Sequence, residues 1–287
     1  MSRICILTDS TAHFPYFAFN GHEHVSVIPH TVRFRGEHQQ DHKDLPLIFT
    51  QAEKSTTPIP QAFPPSAESF LHTFANLANT YSEIVAILIS SHLSQTVQIA
   101  QKAASLFKGP ASISVIDSQT TAAGLGLLVR AAAEAAQRGM SSAEINRVVR
   151  GLIRHIYMIL CLPDLHYLSQ SGQLDPAQAV IGEMLGVIPF YILENGRLVP
   201  VQKARNPRNL VDIFHEFVSE FDQLRHLALL QGLPGFEQES RNLRERIHQC
   251  FPSTPFSEHT MNASLATILG PHSLGLIAME HPNKDIK

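Results

Sequence analysis

Apolar and polar positions along this chain follow two periods that alternate. Residues 3–7, 84–89 and 113–116 form short, unbroken apolar runs, as expected of strands covered on both faces. Residues 25–28 and 32–34 are further β-rich runs. Between them the period lengthens to that of helices, over 44–53, 66–79, 96–107 and an alanine-rich 121–137. Phe70, Phe74 and Leu77 fall on one stripe of the second of these. Ser141-Ser142-Ala143-Glu144 has the spacing of a capping box and opens a further helix through Arg154. This βαβα rhythm predicts a parallel sheet with flanking helices.

A second unit is predicted from about residue 156. It has a strand over 157–162, short helices over 165–170 and 175–181, and a hairpin of 186–193 and 197–203 turning on Asn195-Gly196. A helix over 210–221, a strand over 227–230, a helix over 238–249 and a closing strand over 274–279 follow. Four prolines within 58–65 exclude a helix and an inner strand, so that stretch is expected as a rigid loop. A chain of 287 residues suits two domains of about 150 residues each. The expectation is therefore an α/β protein with an N-terminal domain over 1–155 and a second α/β domain over 156–287.

Composition narrows the function. The formal charge is −3 and the basic residues are scattered, which gives no footprint for nucleic acid. The densest group, Arg241, Arg244 and Arg246, is interleaved with Glu239 and Glu245 and reads as a solvated helix face. Cys5, Cys161 and Cys250 are far apart, which fits free thiols in a reducing compartment. Asp9 interrupts the only early apolar run and no stretch reaches membrane-spanning length, so a cytoplasmic protein without an integral membrane segment is expected.

Three hydroxyl-rich clusters carry the candidate chemistry: Thr8-Asp9-Ser10-Thr11, Ser90-Ser91-His92-Leu93-Ser94-Gln95-Thr96 and Asp117-Ser118. Each follows an apolar strand, so all should meet on the rim where α/β folds bind ligands. Small hydroxyls there suit an oxygen-rich head group. Ser94 lies near a helix start; its hydroxyl can cap that helix, or join Ser90, Ser91, Thr96 and free amides in receiving a carboxylate or phosphate. Asp9 and Asp117 read as loop-fixing acceptors or as ligand contacts. Gly124 and Gly126 are expected to permit close packing. His272, in a turn before the last strand, can donate to an anion or act as a base. His22-Glu23-His24 and His38 to His42 lack a recognised metal-ligand spacing. P-loop, GxSxG and HExxH patterns are missing from the sequence.

In its order of motifs the chain resembles the DegV family over nearly its whole length. The matching residues are Leu7-Thr8-Asp9-Ser10-Thr11-Ala12, Val27-Ile28-Pro29 with Gly36 and Asp41, Pro65-Ser66 with Phe70, the Ser90–Thr96 cluster, Val115-Ile116-Asp117-Ser118 with Gly124 and Gly126, Leu165-His166-Tyr167-Leu168, Lys203-Ala204-Arg205 and Gly270-Pro271-His272. The resemblance implies a two-domain protein that encloses a long-chain fatty acid between its domains. It also implies a carrier that does no chemistry itself and has no cofactor beyond the bound acid. Bacterial members present that acid to a fatty acid kinase, which phosphorylates the carboxylate. Carried over by motif, Ser94 and His272 match head-group residues and Arg205 matches an exposed arginine that docks the kinase.

The chain departs from the family's pattern at the head group. Ala62 stands where the family has a threonine, Gln173 where it has an arginine, and Gln95 where a glycine follows the head-group serine. Losing a cation weakens an anion site, because charge-assisted hydrogen bonds are the stronger ones. The acyl chain still contributes about 0.8 kcal/mol per buried CH₂. Three readings stand: a lipid carrier with an apolar tunnel lined from 184–193 and the Phe70/Phe74 helix; a hydrolase using Ser94 and His272; and a regulatory or scaffold protein with a degenerate site.

Overall fold

The fold was analysed in a computed structural model that describes residues 3–15, 18–41, 49, 59–204, 206 and 208–281. Strands β1 (Ile4–Asp9) and β2 (Val25–Ile28) open the chain. Strands β3 (Thr31–Phe34), β4 (Glu37–Gln40) and β5 (Gln61–Phe63) make a small antiparallel sheet with β3 in the middle. Strands β6 (Glu83–Leu88) and β7 (Ser112–Asp117) join the first two in a parallel sheet of order β2-β1-β6-β7.

Alternation of side chains across this sheet builds two layers. Cys5 and Leu7 of β1, with Ile84, Ala86 and Leu88 of β6, meet Phe70 and Phe74 of the helix Ala67–Ala78 and Val97 and Ala100 of the helix Thr96–Leu106. Ile4, Ile6, Val85 and Ile87 point the other way, onto Leu125, Val129 and Ala132 of the helix Ala122–Gln137 and Ile145 and Val149 of the helix Ser142–Ile153. Each such aliphatic or aromatic side chain stabilises the fold by about 1.5–3 kcal/mol when fully buried. The capping box forms as its spacing predicts: Ser141 accepts from the Glu144 N–H, and Glu144 accepts from the Ser141 N–H. Gly124 and Gly126 admit close packing, since a Cβ at Gly126 would collide with the His13 carbonyl. Burial pushes the Cys5 thiol up to about 11, in keeping with a small apolar residue.

The second sheet has six strands, β8 (Ile156–Cys161), β9 (Ile188–Glu194), β10 (Arg197–Ala204), β11 (Leu224–Gln231), β12 (Phe256–Thr260) and β13 (Leu274–Glu280), in the order β10-β9-β8-β13-β11-β12. All its pairings are antiparallel except β11 with β12. One face carries Ile159, Leu227, Leu229 and Leu276 against Phe214 and Leu243 of the helices Arg208–Ser219 and Glu237–Cys250. The opposite face carries Met158, Leu160, Ala228, Leu230 and Ile277. It packs with Ile89, Leu93, Ala122 and Ala123 of the first unit and with the helices Leu165–Gln170 and Ala263–Leu269. An apolar layer is thus shared by both halves of the chain.

Several expectations need adjustment. The stretch 58–65, expected as a loop, contributes β5 over Gln61–Phe63. This strand is three residues long and lies at a sheet edge, where flanking Pro60 and Pro64 cost no inner ladder bond. Strand β12 and the helix Ala263–Leu269 are additional to the prediction. Every residue of that helix is buried, so it has no polar stripe to betray its period. The expected helix over 44–53 lies outside the described residues apart from Phe49. Among the described residues, no helix is long and apolar enough to cross a membrane.

Candidate functional site: a hydroxyl-lined cavity at the strand rim

The carboxyl ends of β1, β2 and β6 deliver their following residues to one place. Asp9 ends β1 and is fully buried. Its Oδ1 accepts from the Thr11 N–H at 3.0 Å and the Thr11 hydroxyl at 2.6 Å, and its Oδ2 accepts from the Ile89 N–H at 2.8 Å. This carboxylate ties the end of β1 to the end of β6. His30, two residues beyond β2, lies 1% exposed with its Nδ1 3.8 Å from Asp9 Oδ1 and 3.3 Å from Ser10 Oγ. Its Nε2 is 3.0 Å from Thr96 Oγ1, and Thr96 Oγ1 is 2.8 Å from Ser94 Oγ.

The network continues away from Ser94. Ser10 Oγ donates to Asp41 Oδ2 at 2.8 Å, Asn262 Nδ2 donates to the same oxygen at 2.7 Å, and the Ser264 N–H donates to Asp41 Oδ1 at 3.1 Å. Burial pushes the Asp41 carboxyl above its ordinary range; the Ser10 and Ser264 hydrogen bonds and the charge of His30 pull it back. A line of polar side chains thus runs from Ser94 through Thr96, His30 and Ser10 to the half-buried carboxylate of Asp41.

Ser94 faces a cavity of about 370 Å³. His30, Ser94, Gln95, Gln170 and Thr267 supply polar groups to its wall; Leu93 and Ile268 supply apolar ones and belong to the shared layer, against which Ala62 packs. The cavity is therefore walled on one side by the apolar layer that the two halves of the chain share. A larger cavity, about 750 Å³, lies along β8 and β9. It sets Glu194, Glu216, Glu220 and Glu280 against Arg154, the wrong balance for an anion.

The sequence-predicted residues divide. Ser94, Gln95 and Ala62 line the cavity, and Thr96 is buried one hydrogen bond behind it. Ser94 does not cap the following helix: Gln95 occupies the N-cap and makes no side-chain cap bond, while the Ser94 hydroxyl pairs with Thr96. Ser90 and Ser91 serve the loop. Ser90 Oγ donates to the Gly196 carbonyl at 2.7 Å, and the Ser91 N–H donates to Asp117 Oδ1 at 3.2 Å. Gln173 Nε2 donates to the His92 carbonyl at 2.9 Å on the exposed side of the loop, where Arg197 Nε also reaches His92 Nε2 at 3.2 Å.

His272 is not brought to Ser94's cavity. It lines a separate one of about 110 Å³ beside Gly235 and Phe236. There its N–H donates to Asp164 Oδ2 at 2.8 Å and its ring Nδ1 is 3.2 Å from the same carboxylate. Arg205 lies outside the described residues. The residues expected to line a tunnel do not meet at this cavity either. Phe70 and Phe74 are sealed between the first sheet and its own helices, and Met184 and Leu185 are 83% and 72% exposed. Only Tyr191 and Leu193 of the 184–193 stretch join the apolar layer behind the cavity. His30 went unnoticed in the sequence; its place just past a parallel strand, beside the other rim residues, was the available signal.

A cavity that carries hydroxyls beside an apolar wall suits an amphipathic molecule. The sequence pattern of the DegV family, described as an uncharacterised protein family, matches residues 3–281, and the chain belongs to this family. It is 26% identical over 278 residues to Protein DegV of Bacillus subtilis, covering 96% of this chain and 98% of that one. A DegV family protein from Thermus thermophilus, whose structure is described for its fatty acid binding, superposes with a TM-score of 0.83 at 25% identity, over 97% of this chain and 100% of that chain. The Fatty Acid Kinase (Fak) B3 protein of Streptococcus pneumoniae, loaded with linoleic acid, shares the fold with a TM-score of 0.83 at 19% identity, over 98% of this chain and 100% of that chain.

Proposed function

We propose that this protein is a non-catalytic fatty acid carrier of the cytoplasm. It holds the carboxylate at Ser94 and the acyl chain in the apolar layer between its two sheets, with residues 1–155 and 156–287 as the two closing domains. The observation that carries the reading is the junction itself: Leu93 and Ile268 belong both to the wall of Ser94's cavity and to the shared apolar cluster, and Ala62 of the same wall packs against that cluster. The same cavity thus offers hydroxyls and hydrocarbon side by side, as a head group and its chain require. Fatty acid binding by the Thermus thermophilus relative supports the same ligand class. Presentation of the head group to a partner kinase follows from the family resemblance, with Arg205 as the docking residue.

Acyl hydrolysis by Ser94 and His272 receives no support from this geometry. A nucleophile and its base belong within hydrogen-bond reach, and here Ser94 partners Thr96 while His272 partners Asp164. The test is native mass spectrometry of freshly purified protein, followed by organic extraction and lipid identification. A fatty acid at one per chain is the expected result. Protein at its bare mass that also fails to take up added fatty acids would reject the carrier reading and leave the degenerate-site reading.

A further inference from the structure

We propose that His30 is the head-group cation of this protein, and that an acyl carboxylate enters Ser94's cavity together with a proton. The inference rests on the fatty acid reading and adds a linkage to it. Among the described residues lining the cavity, His30 is the only one with an ionisable side chain.

Counting hydrogens fixes the direction of the polar chain. Ser10 donates its single hydroxyl proton to Asp41 Oδ2, so His30 Nδ1 must be the donor toward Ser10. In neutral imidazole Nε2 then has only a lone pair, and Thr96 donates to it. Thr96 has no second proton, so Ser94 donates to Thr96. In this state every hydroxyl points inward and Ser94 turns a lone pair toward the cavity. A carboxylate, itself an acceptor, is refused.

Protonation at Nε2 reverses the chain. Nε2–H donates to Thr96, Thr96 donates to Ser94, and the Ser94 O–H is released into the cavity to meet the anion. The imidazolium adds positive charge where the rest of the lining is uncharged. No covalent bond changes; the proton is drawn from solvent.

The groups facing His30 agree with this assignment. Asp9 on β1 stands 3.8 Å from Nδ1, and Asp41 after β4 is reached through Ser10 and donates its N–H to the His30 carbonyl at 2.9 Å. The neighbouring segments supply only uncharged groups to the cavity: Gln61 and Ala62 from β5, Ser94 and Gln95 before the helix Thr96–Leu106, and Thr267 and Ile268 from the helix Ala263–Leu269. A buried carboxylate, Asp9, and a half-buried one, Asp41, thus lie on the Nδ1 side of the imidazole, and no carboxylate lines the cavity. A ligand carboxylate fills the open side.

The experiment is titration calorimetry of the whole chain with monomeric dodecanoate, in buffers of different ionisation enthalpy, from about pH 6 to about pH 9. Proton uptake is expected to rise toward about one per acid at the alkaline end, with affinity falling in step. Dodecanol, which can donate to a lone pair, should bind without that linkage. His30→Gln should weaken dodecanoate about tenfold and abolish its pH dependence. The proton count needs no variant, so it decides the matter even where His30→Gln fails to fold. Dodecanoate binding with no linked proton at any pH would overturn the role of His30 alone. Failure of both the acid and the alcohol to bind would remove the fatty acid reading and this inference with it.

Discussion

His30 and His272 each sit beside a carboxylate, yet the two regions differ in what that pairing does. At the strand rim His30 is 1% exposed and Asp9 is fully buried, and every partner is itself hydrogen-bonded. At the turn before β13, the His272 and Asp164 side chains are 29% and 22% exposed. Water can replace any bond lost at the turn, whereas a group orphaned at the rim bears its full desolvation penalty. A family motif led to the second histidine. Burial and connectivity lead to the first.

The same substitution on each side tests that contrast. Asp9→Ala removes the acceptor for three donors that water cannot reach, and should lower unfolding free energy by about 3–5 kcal/mol in urea denaturation. Asp164→Ala removes the acceptor for the His272 N–H and ring at a partly solvated turn, and should cost only about 1–2 kcal/mol in the same measurement. Equal losses would erase the distinction between the two regions. The smallest effect sharpens the cavity itself. Ala62→Thr places a hydroxyl on its wall, and one neutral hydrogen bond is worth about 1 kcal/mol, so fatty acid affinity should rise about fivefold by displacement of a fluorescent fatty acid. Unchanged affinity would mean that the head group does not sit against β5.

Much of the architecture could be read from residues whose chemistry is local. Asn195 and Gly196, with φ of 48° and 81°, both take the left-handed conformations that a two-residue hairpin demands. Glu144 and Ser141 satisfy each other within one turn of helix. The buried parallel strands announced themselves as unbroken apolar runs. Legibility failed where a segment is uniform or its meaning lies elsewhere. The helix Ala263–Leu269 is buried on all sides, so nothing in its pattern separates helix from strand. Phe70 and Phe74 make a stripe that any apolar surface would satisfy, and the sheet rather than a ligand claims it. Ser94 and Ala62 were found from the rim and from the family motif. His30 was missed because its partners come from two distant stretches of chain, Asp9 and Ser10 at the end of β1 and Thr96 after β6, and no local pattern joins them to it.

The tip of the β9–β10 hairpin has a reach beyond its own sheet. Gly196 presents its carbonyl to the Ser90 hydroxyl, and a side chain at that position would collide with it. Ser90 in turn receives the Leu93 and Ser94 N–H groups on its carbonyl and the His92 N–H on its hydroxyl. The curvature of the Ser94 loop is therefore templated from across the molecule, like a wall plumbed from the opposite side of a room. Lengthening the hairpin by one residue would warp the Ser94 loop without altering any residue that lines the cavity.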